Sequence, residues 1–120
     1  MPAVRDMVGR RILVVEDEFL LAYALVDMLE DRGAEVLGPT MSVDQALGLI
    51  EGTTRLDGAL LDINLHGEIS FAVADALAER GIPFTFATGY DESVIPARFA
   101  DVPCHQKPLD PHRVLADLIR

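Results

Sequence analysis

The chain has no tryptophan, a single cysteine, and half as many basic as acidic side chains, 10 against 20 in 120 residues. Each shortage excludes something. The lone Cys104 cannot close an internal disulfide, so the fold must rest on its core, and a reducing cytoplasm is the expected setting. A net charge of −10, with the few Lys and Arg scattered along the chain, offers no stripe for neutralising phosphates. Direct nucleic-acid binding is therefore not expected. No apolar run approaches the roughly 20 residues of a membrane span, and residues 1–9 lack the apolar stretch of a secretory signal. Neither a membrane nor a secretory route is expected. At 120 residues the chain reads as one domain, of a size that buries roughly two thirds of its unfolded surface. Residues 1–9 read as a flexible tail and 10–120 as the domain, with no second domain to carry an output.

What is present is an alternation of short apolar runs with helical patterns, the sign of βαβ units and a parallel sheet. Residues 12–15 are continuously apolar, as a strand covered on both faces should be. From Phe19 to about Arg32, the residues Phe19, Ala22, Tyr23, Val26 and Leu29 fall at helical spacing, and Gly33 offers a left-handed stop. Further strands are expected at residues 34–38, 58–63, 83–88 and 102–106. Ser42 and Gln45 match a capping box and open a helix burying Val43, Ala46, Leu47 and Ile50 as far as Gly52. Helices are also expected at residues 70–80, at 91–100 where Pro96 shortens it, and after Asp110 with Pro111 in the first position. Residues 64–67 read as loop. Five strands alternating with five helices give an α/β fold of the flavodoxin-like (βα)5 kind. Its sheet is doubly wound, parallel and five-stranded, in the order 2-1-3-4-5.

That order makes the first and third strands neighbours and gathers four polar islands at the carboxyl end of the sheet. Asp62 ends the deeply apolar run Ala59-Leu60-Leu61. It reads either as a cap for the following loop or as a nucleophile that accepts a phosphoryl group as an acyl phosphate. Glu16 and Asp17 could be no more than helix N-terminal charges, as Glu18 is read. Facing Asp62, they are also oxygen ligands for Mg²⁺, with the backbone carbonyl of Asn64 completing the set. Thr88 is either an ordinary β-branched strand residue or, followed by Gly89, a hydroxyl donor to a phosphoryl oxygen. Lys107 is either a surface lysine or, through a cis bond to Pro108, an ammonium aimed at Asp62. Gathering these charges would cost several kcal/mol, which a divalent cation and a phosphoryl group would offset. His66, His105 and His112 lack metal-ligand spacing and read as surface or loop residues.

These residues, in this order, resemble those of a bacterial response-regulator receiver domain, and the resemblance runs over residues 10–120. It implies that Glu16 and Asp17 are the acidic pair, Asp62 the phospho-acceptor, Thr88 the switch hydroxyl and Lys107 the conserved-type lysine. It also implies Mg²⁺ as cofactor and a sensor histidine kinase as donor. The stretch Pro-Phe-Thr-Phe-Ala-Thr-Gly-Tyr at 83–90 resembles the PFxFATGY receivers, whose kinases are commonly of the HWE type. That implies a stand-alone cytoplasmic regulator, monomeric or weakly dimeric, that binds a downstream protein when phosphorylated. It would be no enzyme beyond its own phosphoryl transfer and dephosphorylation. The family usually has an aromatic residue three positions before the lysine, where this chain has Cys104, so Cys104 and Tyr90 are the further switch candidates. A phosphatase of the haloacid-dehalogenase type would need a general acid two residues after the nucleophile, where Asn64 cannot serve. A flavodoxin-like cofactor binder would need a small-residue loop where Glu16-Asp17-Glu18 stand. The remaining alternative is a pseudo-receiver, an interaction module that works without phosphorylation.

Overall fold

The computed structural model describes residues 6–89 and 95–119. Five strands, Arg11–Val15 (β1), Glu35–Thr40 (β2), Gly58–Asp62 (β3), Phe84–Thr88 (β6) and Cys104–Gln106 (β7), form one sheet in the order β2-β1-β3-β6-β7. All of its pairings are parallel. This is the expected flavodoxin-like topology, with β1 and β3 side by side at the point where the winding reverses.

The continuous apolar runs are explained by helices on both faces. Along β1, Leu13 and Val15 point to the side covered by α2 (Val43–Gly52) and α3 (Phe71–Glu79). Ile12 and Val14 point to the side covered by α1 (Phe19–Asp31) and α4 (Pro111–Ile119). A strand's side chains alternate between faces, so two buried faces demand apolar residues at every position. The helix ends also follow local chemistry. Ser42 Oγ accepts from Gln45 N at 3.2 Å, and Asp110 Oδ1 accepts from His112 N at 3.0 Å.

Several elements differ from the reading of the sequence. The buried seam of α1 is Ala22, Leu25 and Leu29, whereas Phe19 and Tyr23 stay exposed and pack on each other, ring centroids 4.7 Å apart. Residues 64–67, expected as loop, are instead part of an antiparallel hairpin of Asn64–Leu65 (β4) and Glu68–Ile69 (β5). Its turn is made by His66 and Gly67, both at positive φ. Residues 6–9, counted with the tail, form a turn in which Met7 is fully buried and its N–H donates to Arg32 O. Four α-helices are present among the described residues. The expected helix at 91–100 lies partly outside them, and its described part holds the 3₁₀ turn Ala97–Phe99. No helix of the described residues is long and apolar enough to cross a membrane.

β2 runs two residues further than expected, to Thr40, across Gly38 at φ +94°. A Cβ there would stand 2.7 Å from Thr40 N and 2.8 Å from Val14 O, both backbone atoms that cannot step aside. Gly38→Ala is therefore expected to destabilise the fold by about 2 kcal/mol or more, combining left-handed strain with the clash. Gly48→Ala, in the middle of α2 with open space around it, should stabilise by about 0.5–1 kcal/mol. Urea unfolding midpoints of the two variants would show the opposite signs.

Candidate functional site

The carboxyl ends of β1, β3 and β6 and the turn after β7 converge on a cleft of about 450 Å³ lined by Asp17, Glu18, Asp62, Asn64, His66, Gly67, Gly89 and Lys107. Each wall is held by its own backbone contact. Glu16 N donates to Thr40 O at 3.0 Å, carrying the chain from β1 over the end of β2. The Asp62 carbonyl accepts from Ser70 Oγ at 2.6 Å, and Asp62 Oδ1 accepts from Asn64 N at 3.1 Å. Lys107 N donates to Thr88 O at 2.8 Å, which fixes the turn after β7 against the end of β6. The Lys107-Pro108 peptide is cis, as expected.

Lys107 Nζ sits 2.9 Å from Asp62 Oδ2, 3.0 Å from Glu16 Oε1 and 3.5 Å from Glu18 Oε1. Glu16 and Asp62 are only 1% and 4% exposed. One ammonium does not balance this many carboxylates. Burial, then the hydrogen bond and charge of Asp62, push the Glu16 carboxyl up to about 7 against the pull of Lys107. Burial by itself lowers Lys107, but its bonds to Asp62 and Glu16 outweigh that and raise its pKa above the ordinary lysine value. Carboxylate oxygens of Glu16, Asp17 and Asp62 lie within 4.8 Å of one another. Asp17 Oδ2 is buried with no hydrogen-bond donor. His66 Nδ1 stands 2.6 Å from it. A buried, unsatisfied oxygen beside two more carboxylates is what a hard cation with oxygen ligands would complete.

The structure brings Glu16, Asp17, Asp62, Asn64 and Lys107 together at one place. Thr88 ends β6 beside them, fully buried and not among the cleft-lining residues. Cys104 is half-buried at the start of β7, in register with Phe86 and against a small cavity with Ile95, Phe99 and Val102. Tyr90, named with it as a switch candidate, lies outside the described residues. Three participants escape a sequence reading. Glu18 reads as a helix charge but also reaches Lys107. Ser70 sits at the cap position of α3, yet its hydroxyl serves the Asp62 carbonyl and makes no cap bond. His66 reads as a loop residue but lines the cleft. His105 is not a surface residue either, being largely buried with Nε2 2.5 Å from Asp117 Oδ2.

No family model matches the chain. Among curated proteins, the transcriptional regulatory protein PdtaR of Mycobacterium tuberculosis is 27% identical over 95 residues, 78% of this chain and 46% of that protein. The chain thus spans less than half the length of the curated relatives it matches. The solution structure of SdrG from Sphingomonas melonis Fr1 is 41% identical, with 100% of both chains covered and a TM-score of 0.78. A second solution structure of SdrG, in its BeF3-activated conformation, is 38% identical over 98% of this chain and 99% of that one, TM-score 0.76. A response regulator receiver domain protein (CheY-like) from Methanospirillum hungatei JF-1 is 27% identical, covering 89% of this chain and 88% of that one, TM-score 0.78.

Proposed function

The chain belongs to the response-regulator receiver family, and from that premise we propose that it takes a phosphoryl group from a sensor histidine kinase onto Asp62. The single observation that carries this reading is Asp62 itself. It is a nearly buried carboxylate at the end of a central strand, held by Lys107 at 2.9 Å on the floor of an open cleft. A carboxylate oxygen of Asp62 would attack the phosphorus of a phosphohistidine in line. The O–P bond forms as the P–N bond breaks, and the leaving imidazole keeps the electron pair and later takes a proton from water. Lys107 would pair with the transferred group, and the Thr88 hydroxyl would bond one of its oxygens. The resulting change of surface would be read by a downstream protein. The motif at 83–90 supports a donor kinase of the HWE type. The gathering of Glu16, Asp17, Asp62 and Lys107 at one cleft supports a phospho-acceptor over a pseudo-receiver.

Asp17, Glu16, Asp62 and the Asn64 carbonyl would hold Mg²⁺. The donor set fits, being all oxygen, with the unsatisfied Asp17 Oδ2 among it. Bound there, the ion would neutralise charge on the phosphoryl oxygens. Intact-mass analysis after acetyl phosphate and Mg²⁺ should show a single phosphoryl adduct, and a protein that stays unmodified would sink the proposal. Asp17→Asn should weaken Mg²⁺ binding at least about tenfold, since it removes one of few charged ligands. Following ¹⁵N resonances around the cleft during Mg²⁺ titration checks this, and unchanged affinity would move the metal elsewhere.

A further inference from the structure

Two basic side chains, Lys107 and His66, line the cleft, and they are held in very different ways. Lys107 is largely buried, its ammonium shared among three carboxylates and its backbone tied to Thr88. It cannot leave without uncovering Glu16 and Asp62. His66 stands against Asp17 at the edge of the cleft, and its side chain is 82% exposed. The backbone beneath it is fixed independently of the ring. Gly67 N donates to Asn64 Oδ1 at 2.6 Å, and Glu68 Oε1 accepts from Val43 N at 3.1 Å, tying the hairpin to α2. The ring is therefore free to turn away while the turn stays where it is.

His66 Nδ1 stands 2.6 Å from Asp17 Oδ2. His66 is not part of the group of side chains whose ligand atoms lie close enough together to share an ion, which is Glu16, Asp17 and Asp62. So His66 is not a fourth ligand beside the cation. It stands against the oxygen that the cation needs.

We propose that His66 is a removable cover at the cation site: its ring stands against Asp17 Oδ2 and must swing out for a divalent cation to bind, so that His66 limits how tightly this receiver holds Mg²⁺. The inference rests on the reading of Asp17, Glu16 and Asp62 as the metal ligands. Coverage of Oδ2 by the ring is sufficient, and the charge of the ring is not needed. His66 is thus a positioning residue acting through Asp17.

The test is Mg²⁺ titration of the wild type, His66→Asn and His66→Gly, read from backbone ¹⁵N shifts at the cleft and from the His66 ring resonances in the wild type. His66 has φ 52°, a left-handed conformation that Asn and Gly both accept, so both variants should keep the hairpin. Neither replacement reaches Asp17 as the ring does. Both variants are expected to bind Mg²⁺ about threefold more tightly, the scale of a contact with one exposed partner. The wild-type ring resonances should move with the same midpoint as the cleft amides. Mg²⁺ affinity at the cleft that is equal to or weaker than wild type in both variants, with a ring that does not respond, overturns the inference and leaves the metal site standing. Absence of any Mg²⁺-dependent shift at the cleft in all three proteins overturns the metal site and this inference with it.

Discussion

Asp62→Asn is expected to abolish the phosphoryl adduct and, in the cation-free protein near pH 7.5, to raise stability by about 1–2 kcal/mol. The first effect follows because an amide cannot attack phosphorus as a carboxylate does. The second follows from Glu16. Its carboxyl is raised to about 7 from an ordinary 4.5. A group raised in the folded state contributes stability that is complete below 4.5 and is lost as pH rises through 7. The wild type therefore gives up folding energy over that window by keeping two acids together. Burial is the largest cause of the shift and survives in the variant. The hydrogen bond and charge of Asp62 come next, and these the substitution removes. Loss of one Lys107 partner offsets part of the gain, which is why the expected figure is well below the full shift. Urea midpoints should show a clear gain at pH 7.5 and little at pH 5. An equal gain at both values would remove charge as the cause, and an undiminished adduct would remove Asp62 as the acceptor.

The topology was readable because burial on both faces forces continuous apolar strands, and five of them alternating with helices leave few ways to wind. The candidate ligands were readable for the same reason in reverse. Acids such as Asp62 at the ends of such strands stand out against the apolar runs, and the strand order gathers them at one end of the sheet. What stayed hidden depends on geometry with no period in the sequence. Phe19 and Tyr23 fit a helical spacing with Ala22 and Leu29, yet the helix buries the stripe of Ala22, Leu25 and Leu29 and leaves the two rings exposed on its flank. Strands of two residues carry no alternation, and His66-Gly67 is not one of the usual Asn-Gly hairpin turns. Without that hairpin there was nothing to bring His66 back toward Asp17. Ser70 was read only as the first residue of a helix, although it takes the position before α3, where a hydroxyl usually caps. Here the Asp62 carbonyl, buried at the strand end, takes that hydroxyl instead.

Lys107→Met should destabilise the cation-free protein by about 2–3 kcal/mol at pH 7.5 while leaving it folded. Removing one partner of a buried ion pair typically costs about 3–5 kcal/mol, because the other charge is left uncompensated. The cost here is lower, since Lys107 is 17% exposed and the abandoned carboxyls can take up a proton. A domain with the usual 5–15 kcal/mol of stability survives it. The sign with pH is fixed by the same proton uptake: the loss should be greatest above pH 7 and shrink toward pH 5. Mg²⁺ should restore more stability to this variant than to the wild type, since the ion supplies the positive charge the side chain no longer does. Asp62→Asn and Lys107→Met act on one pair and cannot add. Lys107→Met should therefore cost less in the Asp62→Asn background than in the wild type, so that the double variant is more stable than the sum of the two single effects. Additive effects in that cycle, or a Lys107→Met loss that does not change with pH, would make the ammonium a packing group and not the counter-charge of the acceptor. If it is the counter-charge, the phosphorylated variant should also fail to shift the β6 and β7 resonances that move in the phosphorylated wild type. The group on Asp62 would then have lost the cation that draws the end of β7 toward it.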